Sequence, residues 1–441
     1  MITELSVIGL TAAVTYSITT YANTHIPLPH MDEIFHIRQT QTYCAGNWTV
    51  WDPKITTLPG AYLPAVAASS LSLLSCANGL HLRFLSLLMG ILNLGIVTYV
   101  SSSLATGLVV YAIPIHVFYT TLYYTDLFSL ASILLLLAFS SRGFHLLAAL
   151  LGVLSVLVRQ NNILWVLFAG GSATLALLLR PSNTPKSPTR QAPSSSLLAD
   201  VSTVARSLLT RNPISWLPTA GPYLAVVLGF AVFFVLNDYS VVVGDRSAHA
   251  LVFHGANACY ALAFVFLFGA IEADLTSPRP ALLAVFDGGI LQGLVCLALV
   301  AGGCVYAVLH GTFVHPYLLA DNSHVPFYLW SKYLSRGTAY RLGLVPLYTY
   351  AALAIYFAFA RVNKRMEGLL WFAATAGATV PAGLIEPRYF LVSLATFKIL
   401  TTPAGSGFTL RAGLSLVRDV VVSGAMFYVF FHTVRGVHIM W

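Results

Sequence analysis

Asp32 and Glu33 stand side by side in the stretch PHMDEIFHIRQTQTYC at 29–44, with His36 one helical turn beyond Asp32. Only 15 of the 441 residues are acidic, so an adjacent pair of acids marks a place to look for chemistry. Met31, Ile34 and Phe35 fall on one face of a short amphipathic segment that suits an interfacial helix. On such a helix Asp32 and His36 are neighbours at i, i+4. A partly desolvated carboxylate at the mouth of a membrane cavity suits a general base acting on a hydroxyl. Two acids also favour a helix N-terminus through its dipole, so residue type alone leaves both roles open.

Further polar clusters follow. WTVWDPKITTLPGAY at 48–62 carries Trp48, Trp51 and Asp52; such tryptophans are interfacial belt residues or a stacking platform for a sugar or an isoprenoid. Asn47-Trp48-Thr49 is an N-glycosylation sequon. FYTTLYYTDLF at 118–128 sets Asp126 at a helix start behind Tyr124, where an N-capping Thr125 would suffice as an explanation. In VLVRQNNILW at 156–165, Arg159 fits a snorkelling arginine, but Gln160, Asn161 and Asn162 beside it would line something wet or ionic. GDRSAH at 244–249 offers Asp245, Arg246 and His249, and IEPRYF at 385–390 offers Glu386 and Arg388; adjacent acid–base pairs of this kind also simply neutralise each other. The longest cluster, at 310–330, holds His310, His315, Asp321, Asn322, His324, Tyr328 and Trp330. Its spacings match no tidy metal-ligand pattern, and the same donors suit a phosphate headgroup and sugar hydroxyls. No Walker loop, Rossmann fingerprint, GxSxG or HExxH is present.

The elements that must position these residues are membrane helices. The chain is 57% hydrophobic and only 9% charged, against about 25% charged in a soluble domain. A hydrocarbon core needs roughly 20 apolar residues per helix. Runs near 5–22, 61–78, 82–101, 126–141, 144–158, 163–180, 218–236, 250–271, 284–309, 342–360, 367–385, 388–402 and 415–433 supply about 13 spans. The stretch 104–122, broken by Pro114, reads as a re-entrant or in-plane helix, a fourteenth span being the alternative. The formal net charge of +8 is spread singly between spans, as in the positive-inside pattern, so no nucleic-acid partner is expected. Four of the five cysteines sit in apolar runs, so no disulfide framework is expected.

Following the connections alternately places Arg83, Arg142, the Pro/Ser-rich segment 181–212, Arg279 and RVNKR at 361–365 on a cytosolic face. Segment 181–212 reads as a mobile linker. Loop 23–60, YYTD at 123–126, RQNN at 159–162, GDRSAH, residues 310–341 and IEPRYF all fall on the opposite face.

The run MDEIFHIRQTQTYCAGNWTVWDPKITTLPGAY resembles the signature loop of the dolichyl-phosphate-glucose α-1,2-glucosyltransferases, which add the last glucose to the lipid-linked oligosaccharide used for N-glycosylation. FYTTLYYTD, RQNNILW, GDRSAH, HPYLLADNSHVPFYLW and EPRYF are similar to later blocks of that family in the same order. The resemblance implies an all-α GT-C glycosyltransferase, residues 1–441 forming one multi-pass domain of the endoplasmic reticulum membrane. Loop 23–60 would be its luminal catalytic loop and 310–341 a luminal donor- and acceptor-binding loop. The partners it implies are dolichyl phosphate glucose, the dolichyl-diphosphate oligosaccharide acceptor and membrane lipid, with no cofactor and no metal. Ser323 replaces a usual basic residue and Pro326 interrupts an aromatic run, which puts more weight on His315 than on His324.

The implied reaction inverts the anomeric centre of a β-linked donor, so one base must deprotonate the acceptor hydroxyl opposite the leaving phosphate. The candidates are Asp32, with Glu33 positioning it or substituting for it. Arg159, Arg246, Arg388, His315 and His324 are the candidates for holding phosphate. His36, Trp48, Trp51, Asp52, Tyr124, Asp126, Gln160, Asn161, Asp245, His249, Asp321, Asn322, Trp330 and Glu386 are expected to line the substrates. The alternatives are a related GT-C glucosyl- or mannosyltransferase, or a polytopic transporter or channel modulator without catalysis. A transporter would be expected to show internal repeats and charges at the bilayer midplane.

Overall fold

In lipid a chain must satisfy every backbone N–H and C=O within its own segment, which leaves apolar runs of this length one outcome, the helix. The computed structural model describes residues 2–179, 197–210, 213–246, 250–275, 277–287, 289–433 and 437–441. Among these residues there is no strand, only an isolated bridge between His324 and Met440. Seven helical stretches are long and apolar enough to cross a bilayer: Glu4–His25, Gly79–Ser101, Gln160–Leu178, Leu217–Leu236, Ile290–His310, Thr338–Arg361 and Leu410–Phe431. Asp126–Ser141, His145–Val158 and Gly255–Gly269 are shorter apolar helices. The protein is a polytopic helical membrane protein.

The helix Asp126–Ser141 is buried along almost its whole length and packs against Gly79–Ser101, His145–Val158 and Ile163–Leu178. The main core joins Phe118, Trp165, Phe359, Trp371, Phe397 and Phe430. Leu217–Leu236 and Ile290–His310 instead turn Leu228, Leu236, Leu291 and Leu299 outward, as helices facing lipid do.

Two expected elements change. The span expected at 61–78 is only the helix Leu63–Ser70, of 8 residues. That reaches about 12 Å at 1.5 Å per residue, and the chain then turns back at Ser72, whose φ is 57°. The stretch 104–122 is two short helices, Leu104–Tyr111 and Pro114–Tyr119. Pro114 cannot donate to the ladder and holds Ile113 in an extended conformation, ψ 124°, hence the break. The broken pair runs antiparallel to Gly79–Ser101: Gly107 lies against Thr98, His116 against Asn93 and Thr120 against Gly90. It leads from the Ser101 end of the bundle to the Glu33 end, where the Tyr123 N–H meets Glu33. Of the arginines expected on the face away from the acids, Arg142 lies near Ser101, over Tyr99. Arg83 is the exception, and it lies beside Glu33.

Contacts between loops fall into two sets. At one end Gln160 donates to the Thr56 carbonyl, the Val243 N–H to the same carbonyl, the Val325 N–H to Met440 and Arg388 to Asp32. At the other, the Gly405 N–H reaches Ser101, Arg142 lies over Tyr99, and Asp274 pairs with Arg361 and Arg411. The expectation about cysteines is corrected here: Cys44 and Cys76 form a disulfide, because the segment carrying Cys76 is a loop rather than a span. Within 181–212, Leu197–Thr210 is a helix; positions 180–196 and 211–212 lie outside the described residues.

Candidate functional site

The helix Glu33–Cys44 begins at Asp32, its N-cap residue, directly after Met31 in the left-handed region at φ 53°. For a residue with a side chain that backbone is costly and needs its surroundings to hold it. Asp32 keeps half of its side chain open to solvent, 50%, and its Oδ2 accepts a hydrogen bond from Arg388 Nη2 at 3.1 Å. Burial alone would raise the Asp32 pKa, but the Arg388 guanidinium, followed by His36, outweighs it and holds the carboxyl below its ordinary value. His36 has its pKa pushed down to about 4, first by burial, so it is neutral at physiological pH. Its Nδ1 lies 2.9 Å from the Tyr62 hydroxyl and its ring 5.9 Å from that of Tyr124.

Glu33, the neighbouring acid, is fully enclosed. Its Oε1 accepts from Arg83 Nε and the Tyr123 N–H, both at 2.8 Å, and its Oε2 from Arg83 Nη2 at 2.7 Å and the His30 N–H at 2.9 Å. With four donors on two oxygens, Glu33 has no lone pair directed at a substrate. The expectation that it could substitute for Asp32 does not fit this setting.

Arg388 also pairs with Glu386 through Nε, and its guanidinium lies 5.3 Å from the Tyr124 ring and 5.7 Å from that of Tyr389. Arg159 lies 5.7 Å from the same Tyr389 ring, so the two guanidiniums share one aromatic neighbour. Arg159 is fixed by Asp126 at 3.0 Å and by the Thr125 hydroxyl at 2.9 Å. A small cleft between these arginines is lined by Asp126, Ser129, Asn161, Asn162, Trp165 and Tyr389. A third titratable group is His324, 3.3 Å from Asp321 and hydrogen-bonded to the Trp441 carbonyl at 3.1 Å. Burial would lower the His324 pKa, but Asp321 and then Glu386 raise it, while Asp321 is drawn down to about 2, first by its hydrogen bond to His324.

Protonated His324 lies near enough to lower the Asp32 pKa, after Arg388 and His36, whereas His315 caps the short helix Pro316–Ala320 through the Tyr317 N–H and lies against Gly383. Arg246 stands apart, engaged by Asp238 at 3.1 Å and Asn237 at 2.8 Å on an exposed loop. Asp245 lies 3.8 Å from Lys54, and His249 lies outside the described residues. Asp52 accepts from the Lys54 N–H and so shapes its own turn, Asn322 lies within the Asp321–Ser323 turn, and Trp330 is buried with Leu318, Leu334 and Ile385.

An aromatic path approaches the carboxylate. Exposed Trp48 stacks on Tyr43 at 4.9 Å, and Trp51 and Tyr43 each meet Tyr62 at 6.4 and 6.1 Å. Tyr62 then meets His36. Sequence reasoning gave no site role to Tyr62, Tyr389, His30 or Arg83; the first three lie inside the polar blocks and could have been followed, whereas Arg83 is a single charge at the start of an apolar run.

Fold and site together define a class: a multi-span membrane protein with an arginine-flanked carboxylate site at one end of its bundle. A family model described as the DIE2/ALG10 family matches residues 26–399, and the chain belongs to that family. A relative from Drosophila melanogaster is 32% identical over 91% of this chain and 89% of its own. One from Homo sapiens is 30% identical over the same shares, and one from Arabidopsis thaliana 29% identical over 96% of both chains. All three are named Dol-P-Glc:Glc(2)Man(9)GlcNAc(2)-PP-Dol alpha-1,2-glucosyltransferase. No solved structure matches the chain.

Proposed function

We propose that this chain transfers glucose from dolichyl phosphate glucose, in α-1,2 linkage and with inversion, to the diglucosylated lipid-linked oligosaccharide. The observation that carries the reading is the row Asp32, Arg388, Tyr389, Arg159: a half-open carboxylate next to two guanidiniums gathered on one ring. A base and an anion site thus lie within reach of one sugar phosphate. Asp32 takes the proton from the acceptor 2-hydroxyl as that oxygen bonds to the anomeric carbon. The bond from carbon to phosphate oxygen breaks, and its electron pair leaves on dolichyl phosphate. Arg388 and Arg159 neutralise that phosphate, with His324 as a third cation. Arginine forks suit this task, and the leaving group needs charge stabilisation rather than an acid.

The fold in this reading is a GT-C bundle of thirteen crossings, counting the broken pair 104–119. Its polar end faces the lumen of the endoplasmic reticulum. Support comes from the Cys44–Cys76 disulfide at that end, since disulfides persist in oxidising compartments. The acceptor glycan would pass along Trp48, Trp51 and Tyr62 towards Asp32.

In-vitro transfer with Asp32→Asn tests the reading: turnover should fall by about 10²–10⁴-fold while donor KM stays close to wild type. Near-normal turnover would remove Asp32 from the chemistry. Because the arginines supply the positive charge, EDTA is expected to leave the rate unchanged. Loss of activity that only a divalent ion restores would overturn the metal-independent scheme.

A further inference from the structure

Arg83 belongs to no part of the site just described, yet all five of its N–H donors are used. Nε and one Nη2 hydrogen go to Glu33. The others reach the Leu28 carbonyl at 3.1 Å, the Ile26 carbonyl at 2.7 Å and Asn23 Oδ1 at 3.2 Å. The pair is closed to solvent on both sides. It therefore ties the exit of the first helix to the start of Gly79–Ser101.

Glu33 extends the tie in two further directions. Its Oε2 reaches back to the His30 N–H, while its own N–H donates to the His30 carbonyl at 3.1 Å. This closes a ring around Met31 and Asp32, much as a capping box closes a helix start. Its Oε1 holds the Tyr123 N–H, just ahead of Tyr124, whose ring lies beside Arg388 and whose hydroxyl donates to the same His30 carbonyl. The left-handed Met31 sits inside the ring, and Asp32 is the residue the ring leaves pointing outward.

We propose that Arg83, acting through Glu33, is a positioning residue for glucosyl transfer: it holds the His30–Glu33 backbone so that the Asp32 carboxylate faces Arg388. This rests on Asp32 being the base. Lysine at position 83 would keep the charge but replace the planar five-donor fork with a single ammonium, which cannot serve both Glu33 oxygens and the three acceptors of the first-helix exit together. The peptide around Met31 would then relax, and Asp32 would shift relative to the donor phosphate.

The test uses the full-length protein in lipid nanodiscs, comparing wild type, Arg83→Lys and Glu33→Asp. Rates are expressed per folded molecule, judged by an intact Cys44–Cys76 disulfide and a monodisperse particle. A displacement of about 1 Å costs up to roughly a hundredfold in rate, so kcat should fall tenfold to a hundredfold with donor KM little changed. Lys398→Arg, at a buried cluster in which Lys398 pairs with Glu272 and Asp419 on the other end of the bundle, serves as the control for a purely structural pair; it should lower yield and leave kcat per folded molecule unchanged. Unchanged kcat in folded Arg83→Lys and Glu33→Asp would overturn the proposal, as would failure of both variants to fold, which would assign the pair to folding alone. Wild-type protein inactive on dolichyl phosphate glucose would overturn the proposed function instead.

Discussion

Gly60 shows how closely the residues under the site are fitted. A Cβ at this position would lie 2.6 Å from the Leu157 carbonyl carbon and 2.8 Å from the Val158 nitrogen. Backbone rests on backbone there, and the turn Pro59–Tyr62 is thereby brought near enough for the Tyr62 hydroxyl to meet His36. Gly60→Ala should cost about 1–3 kcal/mol through overpacking, read as a lower midpoint in thermal unfolding, and should reduce turnover by displacing Tyr62. The His324–Asp321 pair makes a pH prediction. Asp321 has its pKa lowered to about 2, so its contribution to stability is present above its ordinary 3.8 and is lost as pH falls through about 2. His324 has its pKa raised, so its contribution is full below 6.5 and is lost as pH rises through the folded value. The pair should therefore stabilise loop 310–341 most between those limits, and transfer that depends on cationic His324 should decline on the alkaline side. Asn at position 321 should move that decline to lower pH. Sequence reading located both acids of the Asp32–Glu33 pair but could not separate their roles. Neighbours at a helix start point in different directions, and which one meets solvent depends on partners such as Arg83 and Arg388, far away in the chain.

At the scale of elements, a second charged cluster pins helices at the end of the bundle away from the site. Lys398, on Leu391–Thr401, is buried between Glu272 and Asp419, with Asp419 Oδ2 at 3.6 Å. Arg418 donates to Asp419 at 2.8 Å and to the Phe268 carbonyl. Removing one partner of a buried ion pair strands the other's charge, so Lys398→Met should cost about 3–5 kcal/mol, measured as accelerated thermal inactivation. If the variant were as stable as wild type, the cluster would not be pinning these helices. Nothing in hydropathy pointed to this cluster, because single charges in apolar runs look alike whether they face lipid, a loop or one another. Hydropathy also misjudged 61–78 and 104–122, for a related reason: it measures how apolar a stretch is and takes no account of whether the backbone stays straight. Ser72 turns one stretch back, and Pro114 breaks the other without stopping it from running the length of its neighbour.

Across the whole molecule, the polar blocks were legible as a group because lipid leaves polar loops nowhere to go but the two ends, and alternation then sorts them. The cysteines were not legible this way, since Cys76 was counted into a span that does not exist. If the site end lies in an oxidising compartment, denatured protein blocked with maleimide should accept two more labels after reduction, at Cys44 and Cys76. Equal labelling before and after would mean the bridge does not form in the cell.

The bridge from Asp32 to Arg388 joins positions 356 residues apart. A ribosome completes the loop that carries the carboxylate long before it makes the cation that will face it. Through most of synthesis Asp32 waits at the bilayer edge without that partner, while the intervening helices are inserted and sorted one after another. The carboxylate and its counter-charge can meet only once the helix beginning at Leu391 is in place. Catalytic competence should therefore arrive late and all at once, and a nascent chain arrested before Arg388 should bind neither the charge nor the geometry of the donor.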